Sequence, residues 1–338
     1  MIWMTWRQFR TQAIVALAAL AAAAIAAAVT GPQLAHLYDT VVATCRAHGD
    51  CRTVTSAFLA RDQTLETGLG FLVVVAPAII GVFWGAPLVA RELDTGTFRQ
   101  AWTQSVTRTR WLAVKLGLVG LASMAAAGLL SLLATWWSSP LDRVEMGPFA
   151  SFDQRDLVPI GYAAFALALG VTAGVLIRRT LPAMATTLAV FVAVRVVLKE
   201  WARPYLIAPL RITRTDTTWT GRPPTGPPGS WVISGNIIDG QGRAIGQNGA
   251  LGANIAIGPK GIDIAGVGRC PNIKPPHHGQ NAGALIQRCV AQLRIRDVLT
   301  YQPASRYWAF QWYELAIYLG LALLLAGGCF WWVRRRLA

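Results

Sequence analysis

The sequence predicts an all-α polytopic membrane protein: six transmembrane helices, an N-terminal interfacial helix, and a small disulfide-stapled mixed α/β extracytoplasmic domain between helices five and six. Three observations predict it. Of 338 residues, 54% are hydrophobic and only 14% charged, against roughly 45–50% and about 25% in ordinary soluble domains. Six segments, 13–30, 69–90, 111–137, 158–177, 181–198 and 313–333, approach or exceed the ~20 mostly apolar residues that cross a bilayer core. Basic residues recur in alternate connecting segments. The net charge of +15 therefore points to a lipid bilayer and not to nucleic acid, whose binders gather Lys and Arg into dense patches on a polar surface.

Residues 1–12 carry Trp3, Trp6 and Phe9 at helical spacing beside Arg7 and Arg10, the pattern of a helix lying on the inner membrane face. A cleaved signal peptide is the alternative reading of the same basic start and Ala-rich run. Residues 13–198 hold the first five spans. With the N-terminus cytoplasmic, the inner segments carry Arg7 and Arg10; Arg91, Arg99, Arg108 and Arg110; Arg178 and Arg179; and Arg334, Arg335 and Arg336. Loops 31–68 and 138–157 then lie outside and are net negative, as the resistance of short basic loops to translocation requires. Segment 199–312 is basic, with thirteen cations against five acids, but long loops translocate largely regardless of charge. Both termini are thus expected in the cytoplasm of a bacterial cell, with residues 313–338 forming the sixth span and a basic tail.

Within the spans, Gly81-x-x-x-Gly85 and Gly170-x-x-x-Gly174 permit close helix approach. Only Arg178, Arg179 and Thr180 join the fourth and fifth spans, which predicts a tight antiparallel hairpin. In 199–312, an interfacial stretch from Trp201 to Thr213 leads to a Pro- and Gly-rich connector, 221–229. Short alternating runs follow at Trp231–Ile238, Asn254–Ile257 and Ile262–Ala265, with turn residues between them. Leu285, Ile286, Cys289, Val290 and Leu293 share one helical face.

Four of the five cysteines fall in the predicted outer loops, where disulfides persist. Cys45 and Cys51 form one candidate pair, and Cys270 and Cys289 the other; Cys329 is left as an inert thiol. A zinc site from Cys270, His277, His278 and Cys289 is the alternative, but it lacks the paired spacing of zinc modules. No metal is expected.

The spans hold few ionisable residues, which disfavours an ion-coupled carrier. Lys115 and Arg195 are the exceptions. Each lies about one turn inside a boundary, where a long side chain snorkels to the interface; a pair between Arg195 and Glu314 at the outer end is the functional alternative. No phosphate-binding loop, His-Glu-x-x-His or nucleophile constellation is present, so the chain is read as a non-enzyme without a cofactor of its own. Between spans two and three, 91–110 places Glu92 and Asp94 ahead of Gly96-Thr97. Thr97 is positioned to cap a short helix of about 98–104, whose Phe98 and Trp102, four residues apart, offer one aromatic face to a partner.

The run Arg91-Glu92-Leu93-Asp94-Thr95-Gly96-Thr97, followed by Ser105-Val106-Thr107-Arg108 and the third span, resembles the acid-x-x-x-Gly-Thr stretch of membrane subunits of type 2 ABC exporters. The run from Tyr301 to Trp308 looks similar to actinobacterial members. The resemblance implies an interfacial N-terminal helix, a coupling helix over 91–110 seated on a cytoplasmic ATPase subunit, and a second permease copy or paralogue. ATP and Mg would bind that ATPase. Glu92, Asp94, Gly96, Thr97, Phe98, Trp102 and Arg108 would carry the coupling, and apolar spans suggest a hydrophobic or amphipathic cargo such as a drug, antibiotic or lipid. The long loop between spans five and six departs from simple members. A membrane-anchored receptor or envelope-assembly protein, with 199–312 as the binding module, is the competing expectation.

Overall fold

The computed structural model describes residues 2–48, 54, 57–58, 60, 63–95, 107–142, 147–214, 226–247, 250–251, 255–258, 261–264, 268–270 and 282–336. Among them are six helices long and apolar enough to cross a membrane: Arg10–Cys45, Gln63–Thr95, Thr109–Asp142, Pro148–Ile177, Thr180–Tyr205 and Ala304–Arg335. All six extend past the apolar windows that locate them, because hydropathy marks the membrane-length core whereas caps set the helix ends. Thr107 caps the third, its hydroxyl accepting the Arg110 N–H at 3.4 Å. Arg178, left-handed at φ 57°, ends the fourth by donating its N–H to the Gly174 carbonyl at 3.1 Å.

One expectation changes at the start of the chain. A single helix runs from Ile2 to Leu37, so no break separates residues 1–12 from the first span; no Gly or Pro occurs before Gly31 and Pro32 to make one. At that later point, Trp137 donates its indole N–H to Thr30 Oγ1 at 2.8 Å. A Cβ on Gly31 would meet the Trp136 ring at 3.0 Å.

The fourth span is the centre of the bundle. It is apolar all round, as a helix enclosed by neighbours must be, and 72% of its apolar window is buried against 11% for the first span and 17% for the fifth. Its contact with the second span is backbone on backbone. A Cβ on Gly81 would lie 2.7 Å from the Ala166 carbonyl oxygen, one on Gly85 2.8 Å from that of Leu167, and one on Gly174 2.7 Å from that of Ala86. The two small-residue pairs seen in the sequence thus face each other. Here the second span is wound as a π-helix over Ile80–Gly85, a local widening that recurs at functional positions in helices.

Residues Ile207–Arg306 form a second compact unit, narrower than 199–312. The fifth helix continues through a π turn, Leu198–Ala202, and a 3-10 turn, Arg203–Tyr205, while the sixth begins at Ala304. The expected interfacial stretch to Thr213 is partly strand. Strands β1 (Leu210–Arg214), β2 (Trp231–Ile238), β3 (Ala244–Gln247), β4 (Ala250–Leu251) and β8 (Arg296–Gln302) form one antiparallel sheet in the order β1-β8-β2-β3-β4. Strands β5 (Ile255–Gly258), β6 (Gly261–Ile264) and β7 (Gly268–Cys270) form another. Cys270 is bonded to Cys289, 5.6 Å apart at Cα, fixing β7 to the helix Ala282–Gln292. That bond consumes both sulfurs and displaces the zinc alternative.

Candidate functional site: buried charge at both ends of the bundle

The fourth span opens on a short 3-10 segment, Pro148–Gln154, entered at Gly147 with φ 99°. Phe149 and Phe152 stack there at 6.0 Å and meet the Tyr307 ring edge-on. This aromatic seat holds Asp153 against the bundle. The adjoining helix start is capped from outside: Gln311 Oε1 accepts the N–H groups of Leu157 and Val158 at 3.1 Å each, satisfying donors that a helix leaves open.

Asp153, Arg203 and Glu314, from spans four, five and six, then converge. Arg203 forks onto Glu314, with Nε 2.8 Å from Oε2 and Nη2 2.7 Å from Oε1, and also contacts Asp153. The Tyr162 hydroxyl lies 2.7 Å from Glu314 and 2.9 Å from Asp153. Lys199 approaches Asp153 at 3.3 Å. Arg203 and Glu314 are 6% and 2% exposed, and burial of such charges is tolerable only when each is paired and its remaining hydrogen-bonding positions are filled. The cluster therefore acts as a brace locking three helices at one end.

This corrects the expected pair of Arg195 with Glu314. Glu314 takes Arg203 instead, because the fifth helix continues as π and 3-10 turns and carries Arg203 back to the sixth span. Arg195 stacks over the Tyr162 ring at 4.0 Å, donates to the Val74 carbonyl at 3.3 Å, and stands 3.6 Å from Asp153. It stays inside the bundle, where snorkelling was the simpler expectation.

At the opposite end a single pair does the equivalent work. Lys115 Nζ lies 2.5 Å from Glu92, donates to the Leu88 carbonyl at 3.2 Å and sits 4.9 Å from the Trp111 ring centroid. It is 3% exposed, so it too does not snorkel: the second helix continues to Thr95 and brings Glu92 beside it. The pair bridges the two roots of segment 91–110. Asp94 is exposed on the last turn of that helix, and Arg108 opens the third. Gly96, Thr97, Phe98 and Trp102 lie outside the described residues. Cys45 is disulfide-bonded; its expected partner Cys51 also lies outside them. Cys329 is a buried free thiol.

Asp153 and Arg203 escaped sequence reasoning. Neither stands in a periodic pattern, and Arg203 lies beyond the fifth apolar window. The available signal was topological: Asp153, Arg203 and Glu314 are opposite charges at the same expected end of three successive spans. Among the described residues, no cluster of three or more His, Cys, Asp or Glu could hold a metal ion.

Six membrane-length helices, a central apolar helix and buried interhelical charge pairs define a multi-pass membrane protein built as a bundle. The chain belongs to the ABC-2 membrane transporter related family, whose family model matches residues 17–203. It is a membrane permease of the ABC-transporter class, a transport component in which the family implies an ATPase partner and surrounding lipid. The match takes in Asp153, Glu92, Lys115 and Arg203, and ends before the unit Ile207–Arg306. Neither a curated protein nor a solved structure matches the chain.

Proposed function

We propose that the chain is the permease subunit of an ATP-driven exporter, moving a hydrophobic or amphipathic substrate across the bacterial cytoplasmic membrane on ATP hydrolysed by a separate cassette subunit. Its termini face the cytoplasm, 199–312 faces outward, and a second copy or a paralogue completes the path. ATP and Mg are held by the partner. Segment 91–110 is the contact with it.

The observation that carries this reading is the Glu92–Lys115 pair. It fastens the helix entering 91–110 to the helix leaving it, so displacement of that segment moves spans two and three as one body. The second span is in backbone contact with the fourth through Gly81, Gly85, Gly170 and Gly174, and a packed bundle passes such a shift on as a rigid-body movement. Glu92 thereby acts inside the bundle, as a positioning residue, with the ATPase contact left to the other residues of 91–110.

The test is affinity purification from native membranes followed by reconstitution. A cassette ATPase should co-purify, and vesicles containing both chains should move a fluorescent amphiphile only with hydrolysable ATP. Gly96→Pro should leave insertion intact and lower stimulated ATPase activity. Purification without any ATPase, or movement driven by a proton gradient alone, would overturn the proposal. Recovery of a different envelope protein through the unit Ile207–Arg306 would favour the receptor reading, which draws support from that unit's own sheets and disulfide.

A further inference from the structure

An apolar cleft of about 380 Å³ lies between the first, second and third spans, within the size range of small-molecule sites. Small side chains make it: Ala16 and Ala19 on the first helix, Ala76 on the second, and Ala126 and Ala127 on the third leave space where larger residues would close the wall. Among the described residues that line it, Thr11 and Gln12 lie together at one end and the others are aliphatic or aromatic. Gln12 is fixed there, donating its side-chain amide to the Phe83 carbonyl at 3.0 Å, within the π-wound turn of the second span. Phe83 and Ile79 line the cleft and are themselves exposed, so it opens sideways.

Its dimensions and surroundings specify an occupant. From Thr11 to Leu20 the first helix advances about 14 Å, close to half of the about 30 Å hydrocarbon core and hence to one leaflet. A single acyl chain has that length and apolarity, with its headgroup left at the Thr11–Gln12 end. Arg10, Arg91 and Arg110 are all exposed at the same end of the bundle, against one exposed acid of the second helix, Asp94, while Glu92 is engaged by Lys115. Excess positive charge at that boundary favours an anionic headgroup.

We propose that the cleft is a binding site for one acyl chain of an anionic bilayer phospholipid, entering from the leaflet beside Gln12. The site is formed by one copy of the chain and does not depend on the proposed direction of transport or on an ATPase.

The experiment uses the full chain in vesicles containing phosphatidylglycerol with a diazirine-bearing acyl chain, or the equivalent phosphatidylcholine, followed by peptide mapping of the photolabel. Phosphatidylglycerol should label Ala76, Ile79, Phe83 and Trp84 several-fold more than the lipid-exposed Leu181 and Leu324. Ala127→Phe should remove that excess while Leu181 and Leu324 label as before, which also reports that the bundle remains inserted. Ala16→Phe, which fills the opposite wall, should do the same. Equal labelling of cleft and control positions, or an excess that survives both fillings, would overturn the site. Equal excess from phosphatidylcholine would overturn the headgroup assignment, and an intersubunit disulfide forming in Phe83→Cys would show a second copy covering the opening instead.

Discussion

The two ends of the bundle bury charge in different ways. At one, Asp153, Glu314, Arg203, Arg195 and Lys199 share partners across three spans and with Tyr162. At the other, Lys115 has one carboxylate, Glu92, and one carbonyl. Shared partners make the first end a lock, since moving any one helix breaks several charge-assisted bonds at once. Among the described residues the second end joins only two neighbouring helices by charge, and its other contacts are the apolar packing of Val89, Trp111 and Leu112 against Val171, Val175, Cys329 and Val333. Movement driven from segment 91–110 is therefore expected to pivot about the Asp153–Arg203–Glu314 end.

The largest expected effect tests the lock. Arg203→Met leaves two carboxylates buried without their main cation, a change that costs about 3–5 kcal/mol in buried pairs. It should appear as a large drop in thermal midpoint in detergent, and adding Asp153→Asn and Glu314→Gln should restore much of it. Glu92→Gln should cost less, about 1–3 kcal/mol, because the Leu88 carbonyl still receives the Lys115 ammonium; Lys115→Met in the same chain should recover the thermal midpoint.

A comparison of two glycines sharpens how the ends communicate. Gly170→Ala forces a Cβ into the Gly81 carbonyl and the Ala86 N and should cost about 1–3 kcal/mol by overpacking. Gly117→Ala meets nothing within 4 Å and should be neutral or stabilising by about 0.5–1 kcal/mol. Equal thermal midpoints for the two variants would remove the close contact between spans two and four from the account.

The smallest effect lies outside the bundle, where a carboxylate is held by backbone groups. Asp239 accepts the N–H groups of Arg243 and Gln241 at 2.8 and 2.9 Å. The Arg243 N–H above all, with the Arg243 guanidinium and the Gln241 N–H, holds its carboxyl below the ordinary range. A lowered folded value means the turn is fully stabilised above the unfolded Asp value of about 3.9 and loses that stabilisation as pH falls through the folded one. The protection of the Gln241 and Arg243 amides against exchange, taken relative to their intrinsic rates and measured down to pH about 2, should fall only below that point, and Asp239→Asn should abolish the pH dependence of that protection.

The spans were legible in the sequence because hydropathy is a property of single windows, and so were the strand Trp231–Ile238 and the hairpin of β5 and β6, where alternation coincides with turn residues. The strands β1 and β8 were not. They pair across more than eighty residues, and neither is flanked by the turn chemistry that announces a local hairpin. Charge partners were hidden for a related reason. Arg195 and Arg203 are both basic residues near one end of a helix, and which of them meets Glu314 depends on the π and 3-10 turns after Val197. No helical periodicity foretells those turns. Lys115 likewise had two good solutions until the second helix proved long enough to carry Glu92 to it.

The claim that 91–110 drives the bundle through the Glu92–Lys115 root is tested most directly by the ATPase activity of the reconstituted pair with the Glu92→Gln, Lys115→Met double variant. Its insertion and thermal midpoint should match the original chain while stimulation of the partner ATPase falls several-fold. Full stimulation in that correctly folded variant would contradict the claim.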